Sequence, residues 1–414
     1  MEGNEADPSE RHDHGKRTSG HYSMLTLPTM PPRLRLTATI ALVVLGLSFA
    51  LVPSLGVTPE GGDLDVFYGY ATKIVHGDVP YRAVRLEYPP GALAAIVPPA
   101  LGHPTEHTYA VRFEFAMLGL FAALILLLSR RPRTAFAVAL APLLLGPVVL
   151  KRFDVLPALQ TLVALQLTVR RRYAWAGAAL GLGTAVKLYP VLLLPLVVIA
   201  AGRRAGARAV GAFAVACAAV VLPFFVLAPH GVIESVRAQV SRHLQIETPL
   251  ASLALLAHSL GIVKVGVVSE AHTYGLGGSS GALLAVLTTF LFLASLVLIW
   301  LNASRLVRSR EGLVLGWAGT LCATVVFGRV LSPQYLIWLL PIVPLVSLRA
   351  TVWLVAALIA TNLWYPVPYL DVVLHMDRGD IVLLVVRNAL LTVLLATLLV
   401  AIEPRLRRVP RVRR

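Results

Sequence analysis

The sequence GGDLDVFYGYATKIVHGDVPYRAVRLEYPPG, residues 61–91, interrupts an otherwise apolar chain and decides how the rest is arranged. It holds four of the chain's 21 acidic residues, Asp63, Asp65, Asp78 and Glu87, together with five aromatic side chains. Acidic side chains are costly to place in hydrocarbon. We therefore predict that this stretch forms a long loop outside the membrane, after a first membrane span.

The composition around this loop is that of a polytopic, all-α membrane protein. Only 14% of the 414 residues are charged and 57% are hydrophobic, whereas soluble domains carry roughly 25% charged residues. The net charge of +16 does not indicate nucleic-acid binding, because the basic residues cluster in short loops that alternate along the chain, the positive-inside pattern. Cys217 and Cys322 both fall in apolar segments, which indicates neither a disulfide framework nor a metal site.

Apolar runs long enough to cross a ~30 Å hydrocarbon core recur along the chain. They predict a bundle of about twelve transmembrane helices, at roughly 36–57, 109–128, 134–150, 155–169, 173–186, 191–201, 209–227, 282–301, 313–327, 332–349, 351–364 and 381–402.

The charge pattern also predicts the organisation of the chain. Residues 1–32 form a disordered cytosolic tail, 33–403 the transmembrane domain and 404–414 a basic cytosolic tail. The protein is expected to lie in the plasma membrane, with both termini in the cytoplasm. Two polar loops, 58–108 and 229–280, are expected on the outer face. In the first, Leu64, Phe67, Ala71 and Val75 have helical spacing, so a short surface helix ending at Gly77 is expected.

Several cations break the positive-inside pattern, because they lie at the predicted outer ends of spans: Lys151, Arg152, Lys187, Arg242 and Arg329. Cations at the headgroup level suit a lipid-linked phosphate. Aromatic rings in the first loop suit the apolar faces of sugars. Together with a carboxylate as base, these groups favour sugar transfer from a polyprenyl phosphate. The alternative is that the cations only anchor helix ends in the lipid headgroups.

Asp63 is the favoured general base and Asp65 is held in reserve, but either could simply cap the surface helix. Glu87 and Tyr88 could contact substrate or only precede a helix that begins at the prolines. Asp154 could contact substrate or form an ion pair with Arg152. Lys187 is followed by Tyr189-Pro190, which breaks the helix, and this favours a functional cation.

Several motifs resemble glycosyltransferase family 87, a group of polyprenyl-phosphate-mannose-dependent α-1,2-mannosyltransferases with the GT-C fold. The motifs are DLDVFY at 63–68, GDVPY at 77–81, EYPPG at 87–91, RFDVLPAL at 152–159, AGAALGLGTAVKLYP at 176–190, SPQYLIWLLP at 332–341 and RNALL at 387–391. The resemblance implies an inverting enzyme with its active site on the extracytoplasmic face and no cofactor or metal.

The family pattern places the catalytic aspartate four residues before an aromatic, which selects Asp63 with Phe67, although this chain has Phe where the family usually has Tyr. Substrate contacts are then expected from Lys151, Arg152, Lys187, Arg329, Glu87, Tyr88, Tyr81, Asp154, Gln334 and Tyr335. The implied partners are a polyprenyl-phosphate-sugar donor, a glycolipid or glycan acceptor and membrane lipids, without nucleic acid. Two other classes stay open, a twelve-helix transporter and a non-catalytic scaffold that handles lipid or glycan.

Overall fold

A computed structural model of the protein describes residues 31–52, 55–57, 62–270 and 273–407. Within them the chain is nearly all helical and its only sheet is one two-stranded hairpin. Residues 1–30 and 408–414, which make up most of the two predicted tails, lie outside the described residues.

The α-helices of the described residues are α1 (Pro32–Ala50), α2 (Asp63–Val75), α3 (Leu93–Ile96), α4 (Glu106–Leu128), α5 (Pro132–Ala139), α6 (Ala141–Leu145), α7 (Val155–Val169), α8 (Tyr173–Val186), α9 (Leu194–Leu227), α10 (Pro229–Val240), α11 (Pro249–Ser259), α12 (Gly278–Leu301), α13 (Ala303–Leu306), α14 (Arg310–Phe327), α15 (Leu348–Trp364), α16 (Val367–His375) and α17 (Arg378–Arg407). The strands are β1 (Gly266–Glu270) and β2 (Thr273–Gly277), and short 3₁₀ turns occupy Pro90–Ala92, Pro98–Ala100, Gly146–Val149, Tyr189–Leu193, Pro333–Trp338 and Val343–Leu345.

The long apolar helices make this a membrane-embedded protein. Among the described residues, five helical segments are long and apolar enough to span a membrane: Pro32–Ala50, Glu106–Leu128, Tyr189–Leu227, Gly278–Leu301 and Arg378–Ile402. A sixth is obtained if the bent pair Pro132–Ala139 and Ala141–Val149 counts as one span. Each of the twelve predicted spans falls on a helix or a series of short helical turns. The count of twelve and the GT-C assignment stay predictions.

The first loop contains the expected short helix, α2. Its buried face is formed by Leu64, Phe67 and Ala71, the i, i+3, i+7 spacing of one helix face. The chain leaves the helix at Gly77, whose φ of 105° is in the region that glycine adopts most easily. The N-cap is Gly62, without a side-chain cap. Asp63 is therefore the first residue of α2, and the alternative that it caps this helix is wrong.

Two glycines allow α8 and α9 to pack closely. A Cβ atom on Gly177 would lie 2.0 Å from the carbonyl oxygen of Ala209, and one on Gly181 would lie 2.3 Å from that of Phe213. This four-residue spacing of small residues lets two membrane helices approach backbone to backbone. The chain reaches this position through a kink in α9 at Gly202, where φ is 73°. The kink separates the predicted sixth and seventh spans.

The second polar loop contains more regular secondary structure than its sequence predicts. It contains α10, α11 and an antiparallel hairpin in which Gly266 pairs with Gly277 and Glu270 with Thr273. The glycine-rich sequence before α12 indicates only a loop. The strand conformation of β2 depends on non-local pairing, because Ile246 and Leu276 donate backbone hydrogen bonds to Tyr274 and Leu244 respectively.

The packing of α8 on α9 predicts that Gly177→Ala destabilises the protein by about 1–3 kcal/mol, because the methyl group has to push two backbones apart. The measurement is the midpoint of thermal unfolding in detergent. Gly211→Ala, in the partner helix α9, is the matched control, since a Cβ there meets nothing within 4 Å. An equal effect of the two substitutions would contradict the close-packing explanation.

Candidate active site

Three acid–cation pairs lie where the first loop meets the helical bundle. Two of them join the loop to the bundle, and the third, between Lys187 and Asp154, joins the chain before α7 to the end of α8. We call these six residues the charged centre. Arg152 pairs with Asp63, Lys187 with Asp154 at 2.6 Å, and Arg242 with Glu87 at 3.1 Å. In each pair the two residues come from different helices or loops. The pairs are also close enough to act on one another, since both Arg152 and Arg242 lower the pKa of Lys187.

Asp63 and Phe67 lie on the same face of α2, one helical turn apart. The Phe67 ring is fully buried. It contacts the rings of Phe153 and Tyr88, each with a centroid distance of 5.6 Å. Phe153 directly follows Arg152, so burial of Phe67 brings the Asp63 carboxylate to the Arg152 guanidinium. Asp65 projects about 200° further around the helix.

Lys187 is held between a carboxylate and aromatic rings. Its Nζ atom donates to Asp154 Oδ1 and lies 4.7 Å from the ring centre of Tyr335 and 5.3 Å from that of Trp338. The Trp338 Nε1 atom donates to the same Asp154 oxygen at 2.8 Å. Burial lowers the pKa of Lys187, whereas the Asp154 carboxylate opposes that change. Asp154 forms its ion pair with Lys187 and not with the neighbouring Arg152 that its sequence suggested.

Exposure separates the three carboxylates of the charged centre. The side chains of Asp63 and Glu87 are 24% and 25% exposed, whereas that of Asp154 is 2% exposed. A ligand can therefore reach Asp63 and Glu87, while Asp154 fixes Lys187 and Trp338 in place.

Gly91 determines where Lys187 lies. A Cβ atom on Gly91 would be 2.6 Å from the carbonyl carbon and oxygen of Ala185 and 2.8 Å from the nitrogen of Val186. The turn that begins at Pro89 thus packs directly against the last residues of α8. Lys187 follows immediately in extended conformation, and its side chain enters the charged centre.

Glu87 and the tyrosines of the first loop form the outer part of the site. The Tyr81 hydroxyl donates to the Tyr88 carbonyl oxygen at 2.8 Å. Burial raises the pKa of Tyr70 to about 12, and the negative charge of Glu87 adds to the rise. The Tyr70 hydroxyl stays protonated at neutral pH, so it can donate a hydrogen bond to a ligand.

A cavity of about 960 Å³ opens between the first loop and α10. Its lining combines aromatic, cationic and acidic side chains from both sides, among them Tyr70, Tyr81, Arg82, Arg85, Glu87 and His230. Cavities of ~300–1,000 Å³ hold small-molecule ligands. Glu87 belongs to both this cavity and the charged centre, so the two adjoin.

Two of the predicted cations bind partners outside the charged centre. Lys151 Nζ donates to the Val57 carbonyl oxygen at 2.6 Å, which ties α7 to the chain after α1. The Arg329 Nε atom donates to Thr289 Oγ1 on α12 at 2.9 Å. The Tyr335 ring stacks on that of Trp338 with the centroids 4.2 Å apart. Gln334 is buried, and its Oε1 atom has no hydrogen-bond partner.

Sequence reasoning missed three groups around the charged centre. Arg242 was noted as a cation at a span end, but nothing in the sequence pairs it with Glu87. Trp338 was part of a motif without an assigned role. Arg387 lies within the predicted twelfth span, and a charge at such a position is itself a signal of function. Its neighbourhood, which includes Glu247, is described below.

No group of three or more His, Cys, Asp or Glu side chains in the described part of the chain is arranged to hold a metal ion.

Comparison with known proteins identifies the family. No curated protein matches the chain. The sequence profile of glycosyltransferase family 87 matches residues 86–333, a range that includes Glu87, Asp154, Lys187 and Arg242 but begins after Asp63. Because this match covers more than half of the 414 residues, the chain belongs to glycosyltransferase family 87 and is a glycosyltransferase.

Proposed function

We propose that the protein transfers a hexosyl unit, mannosyl by the family resemblance, from a polyprenyl-phosphate-sugar to a glycolipid or glycan acceptor on the outer face of the plasma membrane. The observation that carries the proposal is the charged centre, in which an accessible carboxylate, Asp63, is held against a cation, Arg152, beside the buried Lys187–Asp154 pair.

Asp63 is the general base of the proposed reaction. Its carboxylate takes the proton of an acceptor hydroxyl as that oxygen attacks the anomeric carbon of the donor sugar. The bond between the anomeric carbon and the phosphate oxygen breaks, and its electron pair stays on the phosphate. One base is sufficient, because the phosphate leaves without a proton. Attack from the face opposite the phosphate inverts the anomeric centre.

Arg152 links the base to the leaving group. An arginine has five N–H donors, so Arg152 can hold Asp63 with one edge and a phosphate oxygen with the other. Negative charge that develops on the phosphate draws the guanidinium away from Asp63, and the carboxylate becomes a stronger base as that happens. Lys187 contributes a second positive charge, and its position is buried, where electrostatic interactions are strong.

The acceptor occupies the cavity between the first loop and α10. Tyr70 and Tyr81 provide ring faces for sugars, and Arg82 and Arg85 provide donors for hydroxyl or anionic groups. Since Glu87 is shared with the charged centre, an acceptor in this cavity has its end directed towards Asp63.

Asp63→Asn is expected to lower hexosyl transfer about 10²–10⁴-fold, the usual contribution of a general base. The assay supplies labelled polyprenyl-phosphate-mannose to membrane vesicles that contain the protein and its cell-envelope acceptors. Asp78→Asn, an exposed acid of the same loop, is the matched control and keeps wild-type activity. Transfer at the wild-type rate by Asp63→Asn would refute the assignment and favour the scaffold or transporter.

Lys187→Ala is expected to weaken donor use about tenfold or more, by loss of a charge-assisted contact to the phosphate. The single substitution also leaves a buried Asp154 carboxylate unpaired, which destabilises the fold. The double variant Lys187→Ala with Asp154→Asn removes that charge, so it separates the two effects. If the double variant regained the wild-type KM for the donor, Lys187 would have only a structural role.

The proposed orientation predicts opposite labelling of two exposed positions. In a background without Cys217 and Cys322, Asp78→Cys is expected to react with a membrane-impermeant maleimide added to intact cells, because the first loop lies outside. Ser309→Cys, at the start of α14, is expected to react only after the membrane is permeabilised. The reverse result would place the charged centre on the cytoplasmic side and exclude the proposed topology.

A further inference from the structure

Beyond the charged centre, a second group of polar side chains lies buried where α11, α16 and α17 meet. We call Glu247, Arg387 and Asn388 the Glu247 cluster. All three are at most 3% exposed. Arg387 Nη2 and Asn388 Nδ2 both donate to the backbone oxygen of Glu247, at 2.9 and 3.1 Å, and Asn388 also donates to Ser252 Oγ at 2.8 Å.

The cluster has more hydrogen-bonding capacity than it uses. Arg387 Nε and Nη1, Glu247 Oε1 and Asn388 Oδ1 are all buried without a hydrogen-bond partner. Unpaired buried polar atoms cost free energy, and an unpaired arginine in a membrane protein costs most. Two unused donors beside two unused acceptors match a ligand whose groups both donate and accept, which is the property of sugar hydroxyls.

Aromatic rings lie beside these polar atoms. The Arg387 guanidinium lies 5.3 Å from the ring centre of Trp364. Tyr369 contacts Trp364 at 5.4 Å and Tyr365 at 5.9 Å between ring centres. Tyr365 and Tyr369 are only half-buried, so these rings reach from Trp364 towards the surface. Aromatic rings with adjacent hydrogen-bonding groups fit the alternating apolar faces and hydroxyl edges of a hexose.

Hydrogen bonds tie the chain beside this cluster to the chain that enters the charged centre. Gln245, two residues before Glu247, donates its backbone N–H to the Arg329 oxygen and accepts from the Leu331 backbone at its Oε1 atom, both at 2.9 Å. The turn that follows, Pro333–Trp338, carries the Tyr335 and Trp338 rings that lie beside Lys187. Burial raises the pKa of Glu247 to about 8, although Arg387 and Arg152 oppose the rise. Burial thus favours the neutral form of Glu247, whose carboxyl group can donate as well as accept.

We propose that Glu247, Arg387 and Asn388 recognise the hydroxyl groups of the donor hexose, while Arg152 and Lys187 hold the donor phosphate. This inference rests on the proposed function and adds to it the residues that select the sugar. The location favours the donor over the acceptor, because the chain beside Glu247 is bonded to the segment that leads to Tyr335 and Trp338 next to Lys187, whereas the cavity assigned to the acceptor lies towards α10.

The test compares two ligands on the full-length protein in detergent: polyprenyl-phosphate-mannose and the same polyprenyl phosphate without sugar. Wild-type protein is expected to bind the sugar-bearing lipid more tightly. In Glu247→Ala and Asn388→Ala we expect affinity for polyprenyl-phosphate-mannose to fall roughly tenfold or more, as for loss of hydrogen bonds in a buried site. Affinity for bare polyprenyl phosphate is expected to stay within twofold of wild type.

Controls separate recognition from folding. Glu311→Gln changes an exposed acid at the start of α14 and is expected to leave both affinities unchanged. Tyr369→Phe removes one half-buried hydroxyl and preserves the ring, so it reports on the same site if Glu247→Ala lowers the thermal unfolding midpoint. The ratio of the two affinities within one variant is not altered by a smaller folded fraction.

Three results overturn the inference. An equal loss of affinity for both lipids in the variants would mean that the Glu247 cluster only stabilises the fold. Unchanged affinity for both lipids would mean that ordered water, and not a sugar, pairs with the unpaired atoms of the Glu247 cluster. If the variants raised only the KM for the acceptor in the transfer assay, the cluster would belong to the acceptor site. A wild-type protein that binds neither lipid would instead contradict the proposed function itself, so the two failures are distinguishable.

Discussion

The structure depends on the pairing of charges in an apolar protein. A carboxylate or a cation that leaves water without a partner costs several kcal/mol, so each charged side chain that the fold buries needs an opposite charge or a set of hydrogen bonds. Asp63, Asp154 and Glu87 meet this requirement with Arg152, Lys187 and Arg242. Two of these contacts, Asp63–Arg152 and Glu87–Arg242, tie the first loop to the bundle alongside the burial of its apolar side chains. Together the three pairs place three carboxylates and three cations in one small region.

The same pairing gives a reason for the position of each group. Asp154 is buried and bonded to both Lys187 and Trp338, so it holds Lys187 in a direction that the chain alone would not give. Asp63 is paired but accessible, and its partner Arg152 retains unused donors. An incoming phosphate can compete with Asp63 for Arg152, whereas it can approach Lys187 without breaking the inner pair. A centre with neutral pairs at rest binds an anion by rearranging hydrogen bonds, and it does not have to hold an uncompensated positive charge before the anion arrives.

Much of this arrangement could be predicted from the sequence. Apolar runs gave the helices, helical spacing of Leu64, Phe67 and Ala71 gave the buried face of α2, and Gly77 gave its end. The expectation that an acid of the first loop meets Arg152 agrees with the Asp63–Arg152 pair, whereas Lys187 pairs with Asp154. The catalytic and binding roles of these residues stay proposals. Each of these features follows from local patterns or from the side of the membrane on which a residue falls.

The partners within the site could not be predicted, because they depend on packing between distant parts of the chain. Nothing local distinguishes Arg152 from Lys187 as the partner of Asp154; the choice follows from Gly91, which lets the first loop press against Ala185 and directs Lys187 inwards. Arg329 looked equivalent to the other span-end cations, but its side chain turns to Thr289. Arg387 was visible as a charge within a span, yet its neighbour Glu247 is 140 residues away in sequence. Arg387 and Glu247 each carry buried atoms without a hydrogen-bond partner, and on this ground we propose that a hydroxyl-rich ligand supplies the missing hydrogen bonds.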